Sequence, residues 1–186
     1  MSQSSTEVAI LGGGCFWCVE AVFSSLKGVT GVVSGFSGGK YDNPSYREVK
    51  FGRTGHAEVV KVTFDPTVLP YRELLRVFFT THDPTTLHQQ GADKGSQYRS
   101  VIFYRNESQY KTAKQVLEEM KVYFDEPIVT ELTRYTIFFS AEAVHQNYYE
   151  NNKDQPYCSV VITPKLQQLR KEHTSLLKGS SNSDIQ

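Results

Sequence analysis

The sequence predicts a single domain mixing strands and helices, α/β or α+β, on three observations. Strand-like and helix-like periodicities interleave along the chain, and no repeat, low-complexity stretch or linker separates them. A length of 186 residues suits one domain, burying roughly two-thirds of its unfolded surface without disulfide or metal support. Residues 1–7 are expected to be a flexible N-terminus, 8–178 the one domain that carries the chemistry, and the tail "GSSNSDIQ", 179–186, disordered.

"VAIL" at 8–11 reads as a buried strand. The glycines after it form a turn, and Val19, Val22, Phe23 and Leu26 recur at helical spacing, so Cys15 opens a helix at a strand-to-helix junction. Valines alternate with glycines over 28–39, and "GGKYDNPSYREV" is a turn-rich loop before another short element. In "HAEVVKVTFDP" the period of two places Glu58, Val60, Val62 and Phe64 on one strand face, closed by Pro66. A helix follows Pro70, carrying Leu74, Leu75, Val77 and Phe78, and "SQYRSVIFY" is a further strand. Glu107 to about Phe124 is a helix with Val116, Leu117 and Met120 inward. "PIVTEL" and "YTIFF" read as strands and "AEAVHQNYYENN" as helical. Thr163 and Pro164 read as the N-cap and first residue of a last helix reaching about Leu177.

Composition removes several classes of function. With 20 basic and 20 acidic side chains, 22% charged and 39% hydrophobic residues, nothing suggests disorder or a nucleic-acid partner. "MSQSSTEV" lacks the marks of a signal peptide, and no apolar run approaches the roughly 18 residues of a membrane span, so the expected location is the cytoplasm. Three cysteines are an odd set, unlike a secreted disulfide framework and suited to redox or catalytic thiols.

The densest chemistry lies in "GGGCFWCVE", residues 12–20. A helix N-terminus favours thiolate, so Cys15 is expected to have a lowered pKa and to act as a nucleophile rather than a buried small hydrophobe. The glycines lack the lysine and hydroxyl of a phosphate-binding loop. Cys15 and Cys18 form C-x-x-C, a dithiol or half a zinc site; no second C-x-x-C completes the latter, and the redox reading is favoured. Cys18 stays open between a core role and a redox one. Phe16 and Trp17 are either core or an apolar collar fit for a methyl or thioether. Glu58 on an apolar face should have a raised pKa and could donate a proton, unless it reaches water. Tyr46 and Tyr98 lie in polar contexts where a phenol can donate. His56, His82, His88, His145 and His173 keep a Cys-His hydrolase in view, although no spacing singles out a base.

Six strings in order, "GGGCFWCVE", "NPSYREV", "TGHAEV", "HDPTT", "QGADKGSQYRSVIFY" and "AEAVHQNYYENN", resemble the A-type peptide-methionine (S)-S-oxide reductases, from about Val8 to Lys165. The resemblance implies a two-layer α+β sandwich with a ferredoxin-like βαβ core. It implies reduction of S-epimer methionine sulfoxide, free or in proteins, as repair of oxidised protein. Cys15 would attack the sulfoxide sulfur, Glu58 would protonate its oxygen, Tyr46 and Tyr98 would hold that oxygen, and Phe16 and Trp17 would receive the methyl. Asp93 matches a position near the substrate. The sulfenic acid left on Cys15 would condense with a second thiol, and a thioredoxin-like protein would reduce the disulfide. Cys158 matches the C-terminal resolving cysteine of many members, and Cys18, where many have glycine, is the alternative. An i,i+3 disulfide at a helix start needs a close approach that disturbs the first turn, which favours Cys158, whereas "PYCSVVITPKLQQL" lacks the glycines that lend some members a flexible C-terminus. No cofactor and no metal are expected, and the chain is expected to work as a monomer. A thioredoxin-type disulfide oxidoreductase and a metal-holding interaction module are the alternatives; neither uses the tyrosine, glutamate and aspartate motifs.

Overall fold

The structure is a computed structural model that describes residues 5–179. Its elements are β1 (Glu7–Gly13), α1 (Phe16–Ser24), β2 (Val29–Ser37), α2 (Tyr46–Lys50), β3 (Ala57–Phe64), α3 (Tyr71–Thr80), β4 (Gln89–Gln90), β5 (Asp93–Lys94), β6 (Ser100–Tyr104), α4 (Glu107–Met120), β7 (Glu131–Arg134), β8 (Phe138–Ser140), α5 (Tyr148–Asn151) and α6 (Thr163–Glu172). Six strands form one sheet in the order β7-β6-β1-β3-β2-β8, and β4 and β5 form a separate small hairpin. β7 runs parallel to β6, while every other neighbouring pair in the large sheet is antiparallel, so the sheet is mixed. The fold is a mixed α and β fold, as the interleaved periodicities require.

The period of two in β3 sorts its residues between two cores. Val60, Val62 and Phe64 join Ala9, Leu11, Phe16, Phe23, Leu74 and Phe78 in the main cluster between sheet and helices. Ala57 and Val59 point the other way, to a smaller cluster with Ile10, Val101 and Phe103. Each large apolar side chain buried in this way contributes about 1.5–3 kcal/mol. Glu58 is the one carboxylate in the apolar row of β3, opposite Phe36 of β2, and is 1% exposed.

Strand directions converge on one end of the sheet. β1 and β2 end there, β3 and β6 begin there, and the segments leaving or entering these strands carry Cys15, Tyr46, Glu58 and Tyr98. Two glycines make the junction feasible. Gly14 takes φ +99°, the left-handed turn that lets the chain pass from β1 into α1, and a Cβ on Gly12 would sit 2.9 Å from the Glu58 carbonyl oxygen.

Several elements differ from expectation. "SQYRSVIFY" is strand only from Ser100, because Ser96–Tyr98 form a 3₁₀ turn. The expected helix over 107–124 is α-helical to Met120 and tightens to 3₁₀ over Lys121–Tyr123. "PIVTEL" and "YTIFF" are strand only over Glu131–Arg134 and Phe138–Ser140. "AEAVHQNYYENN" is not one helix: a 3₁₀ turn over Ala143–His145 is broken by Asn147 at φ 52°, and α5 has four residues. Thr163 is not an N-cap. It is itself helical, continuing a π turn over Cys158–Ile162, and its hydroxyl donates to the Cys158 carbonyl at 3.1 Å. Pro164 supplies no N–H to the turn before it, and the π turn with this hydroxyl contact accommodates the gap. α6 ends at Glu172, with a 3₁₀ turn over Thr174–Leu176. Glu7, expected in the flexible N-terminus, already pairs with Phe64. Residues 1–4 and 180–186 of the expected flexible ends lie outside the described residues.

Candidate active site

Cys15 is the N-cap of α1, as the spacing of the helix predicts, and is 7% exposed. The first amide of the helix does not serve its thiol. The Phe16 N–H donates instead to Glu58 Oε1 at 3.1 Å. The Cys15 thiol is held well above its ordinary pKa by burial, by its hydrogen bond to Cys18 and by the Glu58 carboxyl, against a smaller downward pull from the Trp17 amide. The expected lowered pKa of Cys15 is thereby corrected: the first amide of the helix serves the Glu58 carboxyl, and the pull of the Trp17 amide on the thiol is outweighed. The lowered thiol is Cys18. Its pKa falls to about 7, chiefly because Cys15 donates to it, with burial opposing and Lys165 and Tyr157 assisting. The pair loses its first proton near neutral pH and shares the one that remains, held on Cys15.

Glu58 has no route to water. Burial pushes its carboxyl up to about 8, against the Phe16 amide and Lys50, which favour the charged form, and with Asp93 and Cys18 adding to the rise. Its Oε1 accepts from Phe16 while Oε2 is buried without a partner. The proton at neutral pH therefore belongs on Oε2, a donor with nothing to donate to.

Two phenols face the same space. Tyr46 opens α2, whose start is fixed by a capping box: Ser45 Oγ accepts from the Glu48 amide at 3.3 Å and Glu48 Oε2 accepts from the Ser45 amide at 2.7 Å. Tyr98 ends the 3₁₀ turn, which Gln97 Nε2 ties to the Lys50 carbonyl at 3.0 Å. Both phenols are raised first by burial and then by Glu58, Cys15 and Asp93, so they stay protonated as donors. Asp93 Oδ2 accepts from the Tyr157 hydroxyl at 2.8 Å, and that hydroxyl lies 3.5 Å from Cys18 Sγ.

The two aromatic residues after Cys15 part company. Phe16 is fully buried, 5.6 Å from the Phe36 ring and 5.9 Å from Tyr46. Trp17 is partly buried, stacked at 3.8 Å on Tyr148, with Tyr157 edge-on at 5.7 Å and Tyr46 at 6.2 Å. Phe16 thus backs the wall that Trp17, Tyr46 and Tyr148 present. The third cysteine, Cys158, sits on the π turn, fully buried in a cluster with Cys15, Cys18 and Ile162. All three thiols are free. Burial and the neighbouring Cys18 hold the Cys158 thiol up.

All nine residues singled out in the sequence belong to this end of the molecule. Sequence reasoning missed Tyr157, which touches both Asp93 and Cys18, and named His145 only among the candidate bases, whereas its Nδ1 accepts from the Trp17 indole at 3.2 Å. Both lie in strings already singled out, "HQNYYENN" and "PYC", whose spacing does not reveal these contacts. Of the other histidines, His82 is pushed down to about 4 by burial and bridges the Phe78 carbonyl to Ser100 Oγ. His56 bonds the Gly39 amide and the Tyr41 carbonyl, and His173 the Thr80 hydroxyl. Among the described residues, no group of three or more His, Cys, Asp or Glu side chains is arranged to hold a metal ion, and no helix is long and apolar enough to cross a membrane.

Known proteins resemble this chain in sequence and in fold. A family model described as peptide methionine sulfoxide reductase matches residues 7–177. A peptide methionine sulfoxide reductase MsrA of Sulfolobus acidocaldarius is 52% identical over 165 residues, covering 89% of this chain and 94% of that protein. One from Chromobacterium violaceum is 52% identical over 175 residues, covering 93% and 99%. Among solved structures, methionine sulfoxide reductase A of Corynebacterium diphtheriae superposes with a TM-score of 0.77 at 35% identity, over 82% of this chain and 77% of that one. Reduced Mxr1 from Saccharomyces cerevisiae gives 0.77 at 31%, over 84% and 91%. Mxr1 in complex with Trx2 shares the fold at 23% identity, with a TM-score of 0.55 over 79% and 87%. By a family model spanning nearly all the described residues and relatives half identical along most of its length, this chain belongs to the peptide methionine sulfoxide reductase family.

Proposed function

We propose that this chain reduces the S epimer of methionine sulfoxide, free or in proteins, with Cys15 as the nucleophile and Glu58 as the acid, and so repairs oxidised protein. The observation that carries the reading is the unpartnered, buried Oε2 of Glu58 beside the N-cap thiol. A sulfoxide oxygen leaves sulfur readily only once protonated. The neutral carboxyl supplies that proton, and the Tyr46 and Tyr98 phenols donate hydrogen bonds to the same oxygen.

The Cys18 thiolate, with its pKa near 7, takes the Cys15 proton as the Cys15 sulfur attacks the sulfoxide sulfur. The oxygen ends on Cys15 as a sulfenic acid, and the thioether, methionine, departs past the Trp17 wall. Sulfoxide sulfur is reduced by two electrons and the Cys15 sulfur is oxidised by two. Cys18, already hydrogen-bonded to Cys15, then attacks the sulfenic sulfur, closing a Cys15–Cys18 disulfide with loss of water. Cys158, packed against both, takes over the disulfide by exchange. The spacing argument for Cys158 as first resolver yields to the contact of Cys15 with Cys18 in this reading. A thioredoxin-like dithiol protein returns the enzyme to its reduced form, in keeping with the Trx2 complex of Mxr1.

The order β6-β1-β3-β2, with α1 and α3 as crossovers, supports a ferredoxin-like core within a two-layer sandwich. The reading also takes 8–178 as one catalytic domain, working as a monomer in the cytoplasm without cofactor or metal. A Cys15→Ser variant should form no methionine from a sulfoxide peptide; a variant retaining substantial turnover overturns the assignment. Loss of sulfoxide reduction in Glu58→Gln separates this reaction from plain disulfide exchange, for which Glu58 is dispensable.

A further inference from the structure

The segment 141–151 departs most from its expected form, and its broken backbone has a consequence at the substrate wall. Three successive residues turn polar groups alternately toward α1, β2 and α1. Gln146 pairs with Ser34 of β2, its Oε1 accepting from the amide at 2.9 Å and its Nε2 donating to the carbonyl at 2.8 Å. Asn147, in the left-handed region, donates its amide to the buried carboxylate of Glu20 at 2.6 Å. His145 is left aimed at Trp17.

An indole N–H only donates, so the bond from Trp17 Nε1 to His145 Nδ1 at 3.2 Å requires that nitrogen to be unprotonated. The proton of the neutral ring then sits on Nε2, which faces Glu142 Oε2 at 3.7 Å. The other oxygen of Glu142 accepts from the Tyr46 amide at 3.0 Å. The imidazole also lies 4.0 Å from the Tyr46 ring and 5.8 Å from that of Trp17. One chain of contacts, Tyr46 amide to Glu142 to His145 to Trp17, thus ties a phenol of the oxygen pocket to the ring of the methyl pocket.

We infer that His145 is a positioning residue for substrate, holding Trp17 in its binding orientation through the unprotonated Nδ1, and that acid releases this hold. The inference rests on the reductase reading above. The groups facing the imidazole are the Glu142 carboxylate from its own turn and the Tyr46 phenol from α2; α1 contributes only the uncharged rings of Phe16 and Trp17. Burial holds the imidazole below its usual range, with Glu142 opposing, so the ring is neutral at pH 7. The contact is complete above that pKa and is lost as pH falls through it.

Trp17 is the one tryptophan of the chain, so its emission reports this contact directly. The experiment follows tryptophan emission of the reduced protein without substrate, and KM and kcat for a methionine sulfoxide peptide, from about pH 7.5 to 5. Wild type, His145→Asn and His145→Phe are compared. The account predicts that wild-type KM rises about fivefold toward low pH along the same curve as an emission change, the size expected for one lost hydrogen bond. His145→Phe keeps a ring without an acceptor and should show the raised KM at every pH with kcat within about twofold and no emission step. His145→Asn offers an oxygen near the place of Nδ1 and should restore the low KM without the step. A wild-type emission with no acid step, or a low KM in His145→Phe, overturns the inference and leaves the reductase reading intact. Absence of methionine formation by wild type at neutral pH overturns that reading, and this one with it.

Discussion

The Phe16 amide meets Glu58 Oε1 at 3.1 Å, and this contact decides where the proton of the carboxyl resides. With one oxygen accepting, the proton sits on the other, which is buried and unpartnered. The helix N-terminus that in sequence looks built to activate Cys15 instead orients the Glu58 carboxyl.

Replacing Glu58 by Gln should lower the rate of sulfoxide reduction by about 10²–10⁴-fold, the usual contribution of a general acid. Rapid-quench assay of methionine at neutral pH measures it, and a rate within a few-fold of wild type contradicts the role.

The same carboxyl predicts a stability signature. Its folded pKa, about 8, exceeds the ordinary value of 4.5, so between these limits the native state holds a proton that the unfolded state has lost. Stability from this group is complete below about pH 4.5 and declines by up to about 1.4 kcal/mol per pH unit as pH rises toward 8. Urea unfolding at several pH values should show this slope in wild type and not in Glu58→Gln. Equal slopes would place the Glu58 pKa in its ordinary range.

Cys15 is the largest cause of the low pKa of Cys18. Cys15→Ser exchanges the thiol for a different donor, and Cys15→Ala removes it, so the thiolate titration near 7 should move upward in the alanine variant. Absorbance at the thiolate band reads the midpoint. A midpoint unchanged in Cys15→Ala would mean that Lys165 and Tyr157 hold Cys18 low.

Gln146 replaces a strand neighbour for Ser34, so Gln146→Ala strands a buried amide. A loss of about 1–3 kcal/mol is expected in equilibrium unfolding. A loss below about 0.5 kcal/mol would show that another group satisfies that amide.

What the sequence made legible was local. The alternation around Glu58 sets its face and so its burial, and the spacing after Cys15 sets the helix start. What stayed hidden depends on partners distant in the chain. The low pKa of Cys18 rests first on Cys15, three residues away, but is deepened by Lys165 and the Tyr157 hydroxyl, and the shielding of Glu58 needs α1 packed over β3. His145 lies 128 residues from the indole it accepts from. The string 141–152 has helical composition, yet the Glu142, His145 and Gln146 side chains and the Asn147 amide are claimed by other elements, and tertiary bonds override the local preference.

The central claim is that Cys15 reduces the sulfoxide and Cys18 first receives the oxidation. Its most direct test is one turnover of fully reduced protein with a peptide carrying the S epimer of methionine sulfoxide, without reductant, acid-quenched at early times and mapped by mass. The account predicts methionine formed together with a Cys15–Cys18 disulfide, with Cys158 joining only at later times. No methionine from the intact reduced chain, or a first disulfide between Cys15 and Cys158 with Cys18 still a thiol, would contradict it.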